Sequence, residues 1–310
     1  MSKQQSIIKW FREISLGDLP LVGGKNASLG EMVTALGSSG VRVPDGFAVT
    51  VEAYRQLIGA NNAYDRIEQT LAGLDHTDMG DLQQRGRQLR EIVLQAPLPK
   101  KIQQAISLAY DQLCTEYGGA IAVAVRSSAT AEDLPGASFA GQHDTFLNIK
   151  GEAALIEACQ KCFASVFNDR AIVYRAERGF DHLSVAISVG IQKMVLSDEA
   201  TSGVMFTLDT ETGFRDVVFV TANYGLGETI VQGLVDPDEF YCHKPTFRKG
   251  HRAILSRKLG SKEVKMVLGK TGGMQTTEIV DTPDAERDRF CLVDDDVLAL
   301  AGDAIRIEDH

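Results

Sequence analysis

VAVRSSATAEDLPGASFAGQHDTFLNI, Val123 to Ile149, joins a short apolar strand to a long stretch crowded with hydroxyls, glycines and one arginine. Loops longer than about 12–15 residues without regular structure are uncommon in compact domains and are either functional or disordered. Disorder fits poorly with Leu134, Phe139, Phe146 and Leu147 in the stretch, and Gly136, Ala137, Ala140 and Gly141 would let backbone come close to a ligand. Arg126 leaves the strand end with a planar five-donor fork, and Ser127, Ser128 and Thr130 add shorter donors. Together these suit the oxygens of a bound phosphate. Arg126 in a structural ion pair is the competing reading.

Working outward, the upstream half reads as strand, turn and helix. Residues 7–14 are extended, 15–25 turn and 26–40 are helical, followed by extended chain through 41–50. Helical spacing then covers roughly Val51 to Leu74 and Leu82 to Val93, and a helix follows Pro99 with Ile102, Ile106, Ala109 and Leu113 on one face. Gly118 and Gly119 end it. Downstream of the quoted stretch a helix is expected from about Glu152 to Ala176, and from Leu183 the texture turns to β. LSVAISVGIQKMV, SGVMFTL and DVVFVTANYG read as an antiparallel or mixed sheet, and residues 293–310 as a helix that no glycine or proline terminates. The fold class is α+β. The division expected is 1–118 for an N-terminal α/β part and 119–310 for the remainder, cut inside its last helix.

Composition narrows the function. The 310 residues carry a net charge of −10, which argues against nucleic acid as the principal partner. With 44% hydrophobic and 24% charged residues, and no apolar run near the roughly 20 residues of a membrane span, a globular protein off the membrane is expected. The N-terminus lacks the apolar core of a secretion signal, which points to the cytoplasm. Five cysteines then read as free thiols, and the Cys159/Cys162 pair, on helical spacing with no second Cys or His pair at zinc-site distance, as packing residues rather than a metal centre.

Familiar phosphate motifs fail. VGGKNAS lacks the P-loop spacing and GLGETI lacks the third glycine of a dinucleotide fingerprint. What remains is a set of scattered polar positions at element ends: Lys25, Arg126, the Gly136 to Thr145 loop, Gln192 and the YGLGE turn. Lys25 at a helix start is locally unfavourable, which suggests an anion nearby, although it also fits a merely exposed lysine. Gln192 interrupts an apolar strand, so its amide must meet either core backbone or a ligand edge. YGLGE also fits a plain turn.

At these residues the chain resembles a known family. VGGKNASLGEM, the quoted stretch, VGIQKMV, SGVMFTLDTETGF and NYGLGETIVQGLVDPDEF, in that order, are similar to the N-terminal nucleotide-binding domain of the phosphoenolpyruvate synthases, relatives of pyruvate phosphate dikinase and rifampicin phosphotransferase. The resemblance implies an ATP-grasp-like fold and a reaction turning pyruvate, ATP and water into phosphoenolpyruvate, AMP and phosphate through a phosphohistidine on a swivelling domain. By that resemblance Lys25 and Arg126 clamp phosphates and carry the catalysis, Gly141 and Thr145 belong to a loop closing over the phosphates, and Gln192 contacts the adenosine side. ATP and magnesium are the implied cofactors. None of His76, His143, His182, His243, His251 or His310 lies in the family's glycine-rich T-x-H acceptor segment, and no arginine precedes a proline as in its Gln-x-Arg-Pro strand. The acceptor histidine and the magnesium carboxylates are accordingly expected beyond His310, on the swivelling domain and the segment leading to it. A rifampicin-type phosphotransferase and a stand-alone adenylate-binding module are the alternative readings.

Overall fold

Alternation of apolar and small polar residues builds the first sheet. A computed structural model of the chain describes residues 6–60, 62–130, 144–269 and 277–310. Two compact units are present, one running to Met194 and one from Val195 to His310, with the short Ser38–Val41 stretch grouped with the second.

The first unit contains β1 (Ile8–Trp10), α1 (Leu19–Glu31), β2 (Gly46–Val49), α2 (Val51–Gly59), α3 (Ala63–Leu71), α4 (Met79–Gln95), α5 (Lys100–Glu116), β3 (Val123–Ala129), β4 (Thr145–Ile149), α6 (Glu152–Ala164), α7 (Asp169–Glu177) and β5 (Ile187–Lys193). Its strands form one antiparallel sheet in the order β1-β2-β5-β3-β4. Successive strand side chains point to opposite faces. Val123, Val125, Ile187, Val189, Ile191, Phe47 and Val49 therefore join one large core, with Leu155, Cys159, Cys162 and Phe163 of α6 against them. Ala124, Arg126, Ser128, Ser188, Gly190, Gln192, Gly46 and Ala48 fall on the other face, where Ala48 meets the small core of Phe11, Ile14, Val22 and Ala27. That second face is lined by small and polar side chains, which leaves depth for a site.

Several sequence expectations change here. The extended stretch shortens to Ile8–Trp10, because Phe11 is drawn fully into the small core and the chain turns through a 3-10 helix at Phe11–Glu13. Most of the expected turn at 15–25 is helical. The helix read over Val51 to Leu74 breaks before α3 at Asn62, which takes a left-handed conformation (φ 57°), and that read over Glu152 to Ala176 breaks at extended Asn168. The compact units part at Met194/Val195. The reason is that β5, read from sequence with the later β region, is the strand that pairs β2 with β3, so residues on both sides of 118 share one sheet. The thiols are free, and Cys159 and Cys162 are fully buried on α6, where burial pushes the Cys159 thiol up to about 12.

A buried cation sits on α7. Arg175 is fully buried, its guanidinium 5.9 Å from the Phe167 ring centroid, and its Nε donates to His182 Nδ1 at 3.1 Å. The imidazole must be neutral to accept. Burial first and the Arg175 charge second hold His182 down to about 4, against an ordinary 6.5. The unfolded chain therefore binds the extra proton between these values, so stability is full above about pH 6.5 and falls as pH drops toward 4. The whole shift corresponds to roughly 3 kcal/mol and, discounted for the ring's partial exposure, to about 1–2 kcal/mol. Urea midpoints at pH 7 and 4.5 should differ accordingly, with the difference reduced in His182→Asn; an unchanged difference in the variant would remove His182 from the account.

The second unit contains β6 (Thr201–Phe206), β7 (Val217–Tyr224), α8 (Glu228–Val231), β8 (Asp238–His243), α9 (Lys244–Arg248), β9 (Ile254–Lys258), β10 (Val264–Leu268), β11 (Thr277–Asp281), α10 (Asp284–Arg287) and α11 (Asp294–Asp309). Strands β6-β7-β8-β9 form an antiparallel sheet, with β10 and β11 a separate antiparallel pair. Val218, Val220, Ala222, Phe240 and Cys242 on one face bury against Val297, Ala301, Ala304 and Ile305 of α11, the helical spacing read from the sequence. Among the described residues no helix is long and apolar enough to cross a membrane.

Candidate functional site

VGGK makes a kink. Gly23 sits inside α1 at φ 73° and ψ 166°, a region essentially closed to other residues, and a Cβ there would lie 2.4 Å from the Ser128 carbonyl oxygen. The kink lets the helix backbone rest on β3, and helical geometry resumes at Gly24, just before the lysine. Asn26, 2% exposed, then locks it down: its amide donates to Ser128 Oγ at 3.3 Å, and its Nδ2 donates to Val22 O at 3.0 Å and Ser188 Oγ at 2.9 Å. Ser188 Oγ in turn donates to Val22 O. Gly190 is required beneath this latch, since a Cβ would come within 2.2 Å of Asn26 Oδ1. Gly23→Ala is expected to lower stability by about 1–3 kcal/mol through the positive φ alone, before any clash with β3. A urea midpoint equal to that of the unchanged chain would overturn this account of the kink.

With α1 seated, a cavity of about 290 Å3 opens between it and the sheet, lined by Phe11, Lys25, Asn26, Ser28, Leu29, Arg126, Gly190 and Gln192. Three residues singled out from the sequence, Lys25, Arg126 and Gln192, meet here from α1, β3 and β5. Lys25 and Arg126 are exposed, whereas Gln192 is 8% exposed. The Gln192 amide is engaged by the protein itself: Nε2 donates to Pro44 O at 2.9 Å, and Oε1 receives a long 3.5 Å contact from Arg126. Thus Gln192 meets both core backbone and the cavity. Phe11 and Leu29 supply apolar wall, and Lys25 and Arg126 bring two cationic groups to the opening. Such a pocket favours an anion carried on a partly apolar body.

The other expectations distribute as follows. Thr145 lies directly opposite Arg126 in the β3/β4 register and is exposed, but it does not line the cavity. Gly141, with the stretch 131–143, lies outside the described residues. The neighbouring hydroxyls do not add donors as expected. Strand alternation turns Ser127 to the opposite face, where its Oγ donates to Asp144 O at 3.2 Å, and Thr130 Oγ1 donates to Ala186 O at 3.1 Å. Ser128 holds Asn26. The YGLGE turn belongs to the second unit, where Gly225 (φ 79°) lies against the Met266 backbone. Sequence reasoning missed Asn26 and Ser188, although period-two counting along β5 places Ser188, Gly190 and Gln192 on one face. A larger cavity, about 560 Å3, lies along α3 and α4 but is open and lined by Arg85, Asp81 and glutamines, with Arg85 already bound to Asp81 at 2.6 Å and to the Thr70 and Ala72 carbonyls. Chemistry rather than size favours the smaller one.

Residues 19–310 match the family described as pyruvate phosphate dikinase, AMP/ATP-binding domain. The chain belongs to this family. It is 50% identical to the phosphoenolpyruvate synthase of Synechocystis sp. over 99% of its own length and 38% of the relative's. It is 49% identical to that of Aquifex aeolicus, over 100% and 36%, and 48% identical to that of Escherichia coli, over 98% and 38%. The chain thus spans little more than a third of the length of these curated relatives. Family membership matches the resemblance read from the motifs, and the cavity lies wholly within the matched region apart from Phe11.

Proposed function

We propose that this chain is the ATP-binding part of a phosphoenolpyruvate synthase, and that the cavity between α1 and the first sheet receives part of the nucleotide. The observation that carries the reading is the convergence of Lys25, Arg126 and Gln192, far apart in sequence, on one cavity with cationic and apolar walls. Lys25 and Arg126 bind phosphate oxygens, and Gln192 holds Arg126 and offers its remaining amide proton to the ligand. Thr145, beside Arg126, and Gly141 belong to the stretch that covers the phosphates. At about 290 Å3 the cavity is at the small end of ligand sites, so it takes a portion of ATP rather than the whole.

In this reading the fold is ATP-grasp-like and the enzyme works in the cytoplasm. The complete enzyme passes the β-phosphoryl group to a histidine on a swivelling domain and thence to pyruvate. The curated relatives favour this over a rifampicin-type acceptor or a stand-alone adenylate-binding module. Magnesium is expected to accompany ATP. Among the described residues no carboxylate lines the cavity, and no group of three or more His, Cys, Asp or Glu is placed to hold a metal. What these residues do is orient phosphates and offset their charge.

Calorimetric titration of the chain with ATP tests the site. Binding is expected, at least about tenfold weaker in Arg126→Ala, the loss of one charge-assisted phosphate contact. Affinity unchanged in both Arg126→Ala and Lys25→Ala would place the nucleotide elsewhere.

A further inference from the structure

Two buried amides line the cavity beside α1, and each has one polar group left over. Asn26 is 2% exposed and Gln192 8%. Neighbouring carbonyls fix which way each amide points. A carbonyl oxygen only accepts, so the Asn26 atom 3.0 Å from Val22 O is Nδ2, and the Gln192 atom 2.9 Å from Pro44 O is Nε2. Ser188 gives its own hydroxyl proton to Val22 O and therefore accepts the second Nδ2 proton, at 2.9 Å. Both Asn26 side-chain protons are thus used, while Oδ1 has no partner among the described residues. This oxygen lies over Gly190, where a Cβ would stand 2.2 Å from it. Unlike the enclosed orphan Asn223 Oδ1, it keeps contact with the opening. On Gln192, Oε1 has Arg126, and the second Nε2 proton is unused among the described residues.

An unused acceptor over Gly190 and an unused donor at Gln192 follow each other on one face of β5, about 7 Å apart along the strand. Two hydrogen bonds of about 3 Å and one ligand edge bridge that gap. Phosphate is not that edge. Ionised phosphate oxygens only accept, so one beside Asn26 Oδ1 would set acceptor against acceptor. The cations that suit phosphates, Lys25 and Arg126, are exposed at the mouth. The floor calls instead for an N–H or O–H donor next to an acceptor, and a nucleoside offers this twice: in the vicinal hydroxyls of its ribose and in the amino-bearing edge of adenine. A ligand that excludes water without supplying the donor leaves a buried oxygen unpaired, which is the source of selectivity.

We propose, on the reading that the cavity receives part of the nucleotide, that Asn26 Oδ1 accepts from a donor on the nucleoside while Gln192 Nε2 donates to the acceptor beside it. The floor then selects the nucleoside and the mouth holds phosphate. Calorimetric titration of the chain compares ATP with purine riboside triphosphate, which lacks the 6-amino group, and with the 2′-deoxy and 3′-deoxy forms of ATP. At least one of these is expected to bind about tenfold more weakly than ATP, the usual cost of stranding one buried acceptor. Which one it is identifies base or ribose as the source of the donor. Asn26→Ser removes Oδ1, while the serine hydroxyl still reaches Val22 O one turn back. In this variant the discriminated analogue and ATP should bind within about twofold of each other. All analogues equal to ATP in the unaltered chain, with Arg126→Ala still weakening ATP, would reduce Asn26 to a latch and leave the nucleotide in the cavity. Discrimination unchanged in Asn26→Ser puts the donor's partner elsewhere and also overturns the proposal. ATP affinity untouched by both Arg126→Ala and Lys25→Ala would instead remove the nucleotide from the cavity, and the role of Asn26 with it. The analogue series needs no substitution, so it decides against the proposal on its own even where Asn26→Ser fails to fold.

Discussion

Lys262→Met is expected to lower unfolding stability by about 3–5 kcal/mol, the cost of leaving one member of a buried ion pair without the other. Lys262 and Asp238 both have fully buried side chains, with Nζ 2.6 Å from Oδ1. Every group is satisfied. The ammonium also donates to Gly260 O at 3.0 Å and Arg287 O at 3.2 Å, while the carboxylate accepts from Gly260 N at 2.9 Å and Cys291 N at 2.7 Å. The pair thus ties the first residue of β8 to the loop before β10 and to the segment between α10 and α11. A methionine of similar length fills the space but leaves a carboxylate that can no longer be hydrated. The effect is read from the urea transition of the second unit, followed by circular dichroism. The double variant Asp238→Asn/Lys262→Met should recover part of the loss, because no unpaired charge is left, although the Asn amide can accept from only one of the Gly260 and Cys291 N–H groups that the two carboxylate oxygens now take. Additive losses in the double variant would show that shape rather than charge sets the cost.

On the proposed function, Arg126→Ala and Lys25→Ala, each made in a protein of the relatives' length, are expected to slow pyruvate-dependent AMP formation by about 100- to 1,000-fold, the usual loss when a charged donor is removed from transition-state oxygens. The fold should survive, since both side chains are exposed at the cavity mouth and none of the core clusters includes them. Arg126→Lys separates two contributions. It keeps the charge but loses the fork that can meet two phosphate oxygens while touching Gln192, so it should recover only a small part of the rate. Steady-state kcat and KM for ATP, with circular dichroism as the control for folding, provide the measurement. Near-normal rates in both alanine variants would remove these residues from the reaction.

How legible the site was in the sequence depends on the kind of information each residue carries. Lys25, Arg126 and Gln192 stood out because each is a polar side chain at an element end or inside an apolar strand, where solvation alone makes it conspicuous. Asn26 and Ser188 did not stand out, because short polar residues are common in loops and helix starts. Their burial follows only from α1 being pressed onto β3 and β5, with Gly23 and Gly190 removing the side chains that would hold them apart. The hydroxyls after Arg126 were misjudged for the same reason: the strand's pleat and its neighbours, not composition, choose their partners.

Local pattern alone determined the α+β class, the faces of α5 and α11, and the packing role of Cys159 and Cys162, because a period of 3.6 or 2 in apolar residues is an energetic preference each segment expresses by itself. The order of strands in the first sheet was decided by tertiary structure. β5 reads as part of the downstream β region, yet its Ile187, Val189 and Ile191 complete a core begun by β2 and β3, and the compact unit so formed runs to Met194. Pairing between distant strands depends on which apolar faces can be buried together, a property of the assembled sheet rather than of any one segment. The cavity has the same origin. Its cations lie about a hundred residues apart, at 25 and 126, and only the kink at Gly23 and the antiparallel register of β3 with β5 bring them to one opening.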